Sequence, residues 1–289
     1  MRLSLVLAAL ALAPLDIAAE DPAWRFRPGT VFIWECRAES TFTSVRTFKD
    51  GVTRTVASPS VCTLTLSATV ESVGDDGGAR LAFEVTRVEM DALWHDTGAR
   101  AKWDSRKDRD VVPGFTRYAA IAGHRFTALV GGDGEIREMK GSEWPAESDL
   151  PRKKNASQGE ENAAATMRDP DPARTWLDLI FATAPRAGAA WSVSLNLPGT
   201  ETLDASPGGR DRVDGAECAV VKLESPKEGK EAPPVSKRRH GRAWFSASAG
   251  CLVKVELAGV EEAARYKPGS EQQIKWSASL KSRTEGPAK

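Results

Sequence analysis

Apolar residues recur at every second position in several stretches of this 289-residue chain. From 62 to 70 the even-numbered positions are apolar, and the odd-numbered positions between them are all threonine or serine. Because successive side chains of a β-strand point to opposite faces, this pattern predicts a strand with one buried and one solvated face. Buried parallel strands would instead read as continuous apolar runs, so we expect an antiparallel sheet.

Turn signals separate the alternating runs and predict β-hairpins. The glycine-rich cluster 74–78 follows the first run, and a second run covers 79–90. The alternation changes phase near Thr86 and Arg87, which predicts a β-bulge at that point. Further predicted strands are 126–130 and 135–138, joined by a glycine-rich turn, and then 191–197, 251–257 and 274–280.

One segment has the periodicity of a helix. Asp171 and Pro172 provide an N-cap and a first-turn residue, and Pro185 ends the segment. Its apolar residues form one stripe, namely Ala173, Trp176, Leu177, Ile180, Phe181 and Ala184. This stripe needs an apolar surface to pack on, and the sheet provides one. We therefore predict a mainly β protein (all-β or α+β), with a curved antiparallel sheet or half-barrel and one main amphipathic helix on its concave side.

The N-terminus has the organisation of a cleavable secretory signal. Arg2 precedes the uncharged apolar run 3–13, and small residues follow it. Cleavage after Ala13 or after Ala19 fits this pattern, and Pro14 at the first mature position disfavours the former. The run is shorter than the roughly 20 apolar residues of a membrane-spanning helix. We expect export to the periplasm or secretion, with no integral membrane segment in the mature chain.

The remaining chain is expected to form a single β-rich domain. One stretch has few large apolar residues and both charge signs, which predicts a mobile insertion. The predicted organisation is a signal peptide at 1–19 and one domain at 20–289, made of a strand block at 24–140, the insertion at 141–170, the helix at 171–184 and a second strand block at 188–282.

The four cysteines form two sequence-local pairs. Export would place them where disulfides persist, and three pairings are open to four cysteines. We favour Cys36 with Cys62 and Cys218 with Cys251, because each bond would then join neighbouring strands and contribute about 3 kcal/mol. Zinc-binding cysteines usually occur in closely spaced pairs, which this chain lacks, so we expect no metal site.

Catalytic motifs are absent from the sequence. The 40 basic and 40 acidic residues balance, whereas nucleic-acid binding calls for a basic surplus. No serine lies in a G-x-S-x-G elbow, and no phosphate-binding loop or dinucleotide fingerprint is present. Asp104, Asp108 and Asp110 form the densest carboxylate group, but alternating charges there favour a solvated loop. We predict no catalytic residue and no cofactor, and a non-enzymatic role is favoured over an enzyme.

Nine tryptophans are the strongest hint of a binding surface. Large aromatic side chains serve both protein cores and apolar cavities, so these two interpretations stay open. If a cavity exists between sheet and helix, we predict that its lining includes Trp34, Trp176, Ile180, Phe181, Trp191 and Trp276.

A resemblance adds to this interpretation. The run from the helix through Pro185 and Gly188 to Trp191, with the upstream hairpin at 130–136, is similar to exported bacterial β-rich proteins of unknown function. The predicted architecture distantly resembles the LolA-like half-barrel carriers of envelope lipids and lipoproteins.

That resemblance implies binding of an apolar, lipid-like ligand, or of a hydrophobic segment of an envelope partner, in the concavity of the sheet. Two other classes of function stay open. One is a structural or protein-interaction module of the envelope, and the other is a hydrolase acting on envelope polymers.

Overall fold

A computed structural model of the chain describes residues 24–47, 51–94, 98–112, 114–142, 172–186, 190–196, 201–227, 239–262 and 271–286. The strands in these ranges are β1 (Val31–Thr47), β2 (Thr53–Val73), β3 (Ala79–Leu93), β4 (Arg100–Asp104), β5 (Arg125–Val130), β6 (Ile136–Lys140), β7 (Trp191–Leu195), β8 (Glu201–Val213), β9 (Ala216–Glu224), β10 (His240–Ser246), β11 (Cys251–Glu262) and β12 (Glu271–Thr284). The helices are α1 (Thr116–Ile121) and α2 (Pro172–Leu177), and α2 continues as a π-helical turn at Asp178–Ala182. We call α2 and this turn together the central segment.

All the described strands belong to one antiparallel sheet. The order across it is β6-β5-β3-β2-β1-β12-β11-β10-β9-β8-β7, and β4 pairs with β3 outside this path. Strands β1 and β12, which lie far apart in sequence, pair along most of their length, with Trp34 opposite Leu280. The two predicted strand blocks therefore join at the middle of one sheet. The predicted mainly β, antiparallel fold is confirmed.

The burial of residues along the strands follows the same alternation that predicted the strands. Along β3, every second residue from Ala79 to Val85 is buried, and the pattern resumes one position out of phase at Val88. The register explains the change, because Thr65 lies opposite Arg87 while the next residue, Leu66, lies opposite Val85. Thr86 is thus the extra residue of a β-bulge, as predicted.

The predicted helix exists, but its second half is wound differently. A π-helical turn replaces the α-helix from Asp178 onward, and Asp178 and Leu179 are buried although neither belongs to the predicted stripe. The Thr183 hydroxyl donates a hydrogen bond to the Leu179 carbonyl at 2.7 Å. Such turns add a residue to the helical repeat and redirect the side chains that follow. The segment is therefore buried on nearly all sides rather than on one stripe.

Contacts of the central segment show that the sheet is curved. The segment touches β6 and β7, which are the two edges of the strand order, and also β11 near its middle. Arg174 points its Nη1 at the Met139 sulfur of β6 at 3.9 Å. Asp178 accepts a hydrogen bond from the amide of Asn196, just after β7, at 2.9 Å. Both edges can meet one short segment because the sheet bends around it, which confirms packing on the concave side.

Aromatic rings fill the space between the central segment and the sheet. Phe181 is fully buried, and its ring centroid lies 4.7 Å from that of Trp24, 5.8 Å from that of Trp34 and 6.1 Å from that of Phe83. Offset and edge-to-face contacts of this kind add to the stabilisation that comes from burial itself. Phe181 is thus the central side chain of the core.

Several predictions fall outside the described residues. These are the signal peptide at 1–19, the N-cap at Asp171 and all but the first two residues of the insertion at 141–170. Within the described ranges, no helix combines the length and the apolar character that crossing a membrane requires.

Candidate functional site

A small apolar cavity lies between the two helices and one half of the sheet. Its lining residues come from β2, β3 and β5, from α1 and the turn after it, and from α2. They are Leu64, Leu66, Val85, Ile121, His124, Phe126, Ala173 and Trp176. Seven of these eight side chains are apolar, so the cavity suits a hydrocarbon group.

The size of the cavity limits what it holds in this conformation. The empty space between its walls, counting the open mouth, is about 350 Å³. The centre of a water molecule has only about 20 Å³ of this space to move in, which is room for about one or two waters. A long apolar chain therefore needs one of the walls to move.

The strand walls follow from the alternation in the sequence. Leu64 and Leu66 are inward-facing residues of β2, Val85 is the last inward-facing residue before the bulge of β3, and Phe126 faces inward from β5. Phe126 stacks on Phe83, with ring centroids 4.9 Å apart. These four side chains are buried and form the rigid side of the cavity.

The opposite wall includes the short helix α1. Its N-cap residue, Phe115, makes no side-chain capping bond, and the first turn has no acidic residue. Phe115 is buried and stacks on Trp94, with centroids 5.5 Å apart, and Ile121 is buried at the other end of the helix. A six-residue helix is unstable by itself, so α1 depends on these two anchoring contacts.

His124 is the polar member of the lining. Its amide donates to the Ile121 carbonyl at 3.0 Å, and its carbonyl accepts from the Val85 amide at 3.0 Å. The backbone is thereby fixed to both α1 and β3, and the ring centroid lies 6.1 Å from that of Phe126. Its Nε2 atom is buried without a hydrogen-bond partner.

The predicted cavity residues divide between core and cavity. Trp176 lines the cavity, whereas Ile180 and Phe181 of the central segment and Trp34 of β1 are fully buried in the core between that segment and the sheet. Trp191 is partly buried at the β7 edge. Trp276 is buried on β12 under the Arg239 guanidinium, which lies 4.9 Å from its ring.

Sequence reasoning missed most of the lining. Leu64, Leu66 and Val85 lie on the apolar faces of predicted strands and Phe126 lies in a predicted strand. Nothing in the alternation separates an inward residue that lines a cavity from one that packs in a core. His124 gave a further signal, since a histidine directly before an apolar strand run is a candidate for a polar group facing the interior.

The aspartates of the cluster at 104–110 that bond to neighbouring groups stabilise a turn of the backbone. Asp104 forms a two-point contact with Arg87, Nε to Oδ1 at 3.2 Å and Nη2 to Oδ2 at 2.6 Å, and accepts the Arg106 amide at 3.0 Å. The Arg87 hydrogen bond holds the pKa of the Asp104 carboxyl well below its usual range. The Asp108 carboxylate accepts the Asp104 amide at 2.7 Å. A carboxylate so firmly ionised and bonded stabilises the turn after β4.

The four cysteines are free thiols in the structure. Cys36 and Cys62 are on paired strands, but Cys36 lies opposite Leu64, two residues from Cys62. Such diagonal positions are separated by about 7–8 Å, beyond the usual Cα separation of a disulfide. Cys218 and Cys251 lie on β9 and β11 with β10 between them, so the expectation that this pair joins neighbouring strands is wrong.

Metal binding has no candidate among the described residues. No three histidine, cysteine, aspartate or glutamate side chains there are grouped so that they could hold an ion.

Comparison with known proteins identifies a fold and no family. No protein-family model and no curated protein matches the sequence. A structure of lipid–protein interactions in lipovitellin is similar with a TM-score of 0.50 and 9% identity, over 91% of this chain and 26% of that chain. At this identity the likeness shows the fold alone. The chain spans about a quarter of the length of that protein.

Two bacterial structures are similar at lower scores. A β-barrel-like protein of the domain of unknown function DUF1849 from Brucella abortus has a TM-score of 0.21 and 8% identity, over 86% of this chain and 98% of that chain. A domain assigned to outer membrane lipoprotein sorting from Vibrio parahaemolyticus has a TM-score of 0.11 and 8% identity, over 86% of this chain and 84% of that chain. Scores this low carry no argument about function.

Proposed function

We propose that this chain is a non-enzymatic protein that binds an apolar, lipid-like ligand. The observation that carries the proposal is the apolar cavity between α1, α2 and strands β2, β3 and β5. The similar fold of a protein whose structure concerns lipid–protein interactions supports it. The secretory pattern of the N-terminal sequence supports a location outside the cytoplasm, where the ligand would come from the cell envelope.

Energetics favour this cavity over the rest of the concave face. Leu177, Leu179, Ile180 and Phe181 of the central segment are fully buried. Exposing one such side chain costs about 1.5–3 kcal/mol, so displacing all four would cost roughly 6–12 kcal/mol. That is comparable to the whole stability of a typical domain, about 5–15 kcal/mol. Displacing the central segment would therefore cost most of the stability of a typical domain before any gain from the ligand.

Movement of α1 costs much less. Phe115 and Ile121 are its fully or nearly fully buried side chains, whereas Tyr118, Ala119 and Ala120 are partly exposed. Opening the cavity at α1 exposes about two apolar side chains, which the apolar surface of an incoming ligand covers again. The ligand therefore enters beside α1 and lies along β2 and β5.

Fluorescence titration with diphenylhexatriene, a hydrocarbon that emits strongly in apolar surroundings, tests this function. Wild-type protein is expected to bind the probe. Ala173→Trp places a large side chain at the cavity and is expected to weaken binding by about tenfold or more. Ala247→Trp, at an exposed turn after β10, is the matched control and is expected to bind as wild type does.

Urea unfolding of both variants checks that each is folded. Absence of probe binding by folded wild-type protein would refute the proposed function. Equal binding by wild type and Ala173→Trp would move the site elsewhere on the molecule.

A further inference from the structure

His124 brings an unsatisfied polar atom to an otherwise apolar cavity. Its Nε2 is buried and has no hydrogen-bond partner, while the other lining residues are aliphatic or aromatic side chains, of which Trp176 alone carries a polar atom. A buried polar group without a partner costs about 1–3 kcal/mol. Other buried side-chain atoms of the described residues, such as Trp34 Nε1 and Trp103 Nε1, also have no partner, but His124 Nε2 is the one that belongs to the cavity lining. An apolar side chain of similar size would avoid this cost.

The position of the ring is set by the fold. Hydrogen bonds from Val85 and to Ile121 fix the His124 backbone on both sides, and the Gly123 amide donates to the Val85 carbonyl at 2.8 Å. Gly123 has φ +81°, which favours glycine and makes the sharp turn from α1 into β5. The imidazole is therefore held at the cavity by the turn that positions both neighbouring walls.

The burial of the lining residues gives the cavity a direction. Leu64, Leu66 and Phe126 are 5%, 2% and 4% exposed, whereas His124 as a whole residue is partly exposed. A ligand with one polar end would place that end at His124 Nε2 and its hydrocarbon part against the buried leucines.

We infer that His124 Nε2 is the polar anchor of the site and that the ligand is an amphiphile with one hydrogen-bonding oxygen, of the fatty-acid class. This inference rests on the proposed function and adds the ligand class and the residue that selects it. An imidazole nitrogen can donate a hydrogen bond to a carboxylate oxygen or accept one from a carboxyl hydroxyl. Either bond satisfies Nε2 and removes the cost of leaving it unpaired.

Substitution of His124 by phenylalanine isolates the anchor. An aromatic ring slightly larger than imidazole remains and both ring nitrogens are lost, so the apolar walls are preserved. Replacing an unsatisfied buried polar atom with carbon is neutral or stabilising, so His124→Phe is expected to unfold at the same urea concentration as wild type or a higher one. A clear loss of stability would show that Nε2 already has a partner in the protein and would overturn the inference.

The decisive measurement compares two ligands on the same proteins. Decanoate is titrated as a competitor of diphenylhexatriene against wild type, His124→Phe and His240→Phe, the last at an exposed histidine that opens β10. His124→Phe is expected to weaken decanoate binding by about tenfold and to change probe affinity by less than about twofold. His240→Phe is expected to match wild type for both ligands.

Separate outcomes test the inference and the proposed function. Probe binding without decanoate competition, or equal decanoate affinity in wild type and His124→Phe, overturns the anchor while the apolar site remains. Loss of both ligands to the same degree in His124→Phe also overturns it, because the effect would then be on the cavity walls. Failure of wild type to bind the probe at all removes the proposed function, and the anchor with it.

Discussion

The Asp178 carboxylate accepts a hydrogen bond from the Asn196 backbone amide at 2.9 Å and so ties the central segment to an edge of the sheet. The other carboxylate oxygen accepts from Arg174 Nε at 2.8 Å, and the Thr175 hydroxyl donates to the Asn196 carbonyl. Asp178 is 3% exposed. A buried carboxylate is stable there because both of its oxygens are bonded.

Removal of the Asp178 carboxylate should destabilise the whole fold. Asp178→Ala leaves the Arg174 guanidinium and the Asn196 amide without this acceptor. Because the Arg174 side chain is 37% exposed and water can replace part of the lost contact, the expected cost is about 1.5–3 kcal/mol, that of a hydrogen bond to a charged group. Urea unfolding followed by circular dichroism measures the loss. Asp178→Asn keeps one acceptor and is expected to lose less.

Asp204→Ala is the control for this experiment, since Asp204 is exposed on β8, near the same edge of the sheet. Its free energy of unfolding should stay within about 0.5 kcal/mol of wild type. A similar small effect for Asp178→Ala would contradict the role of this carboxylate in holding the central segment.

Close contact between Gly134 and the central segment gives a second prediction. Gly134 has φ +82°, and a Cβ atom there would overlap the Phe181 carbonyl. Gly134→Ala adds backbone strain of about 1–3 kcal/mol and a steric cost of similar size. Gly215→Ala, at φ +83° with open space around it, adds the strain alone. The difference between their unfolding free energies measures the packing of Phe181 against the β5–β6 turn, and equal losses would show that the two do not touch.

Local alternation was enough to predict the hairpins, because the sequence of each strand alone shows which of its faces is buried. The bulge at Thr86 was predictable for the same reason. Strand β8 was not predicted, since Pro207, Gly208 and Gly209 interrupt its pattern, and the register indeed shifts there. Helix α1 was also missed, because six residues without a capping side chain carry too little helical signal.

The cavity could not be predicted from local pattern. Its walls come from strands and helices as distant as Leu64 and Trp176, and their meeting depends on how the whole sheet bends around the central segment. The aromatic residues chosen from the sequence were mostly core, since Phe181 and Trp34 pack against each other rather than against an open space.

Ionisation of Asp104 predicts how stability depends on pH. Its pKa in the folded protein lies well below the ordinary 3.8, chiefly through the hydrogen bond from Arg87. A depressed pKa contributes stability that is complete above the unfolded value and is lost as the pH falls through the folded value. Between pH 7 and about pH 3, the stability advantage of wild type over Asp104→Asn should shrink by about 1 kcal/mol. Asp75→Asn, at an exposed turn residue, should show no such change, and a constant advantage for Asp104 would contradict the pairing with Arg87.

Thiol reactivity tests the environment of the cysteines and the disulfide prediction together. Burial raises the pKa of the Cys62 thiol to about 12 and that of Cys251 to about 11, and burial also raises the pKa of Cys36 and Cys218. Because the thiolate is the reactive form, folded protein at about pH 8 should react with iodoacetamide far more slowly than protein unfolded in urea. Alkylation is followed by mass spectrometry, and rapid alkylation of the folded protein would contradict this burial.

Alkylation after unfolding in urea without a reductant tests the disulfide prediction. The number and the positions of the alkylated cysteines show which of them are bonded. Four would show the disulfide prediction wrong, while two, with Cys36 and Cys62 protected, would confirm its first bond and require β1 and β2 to shift from the register seen here.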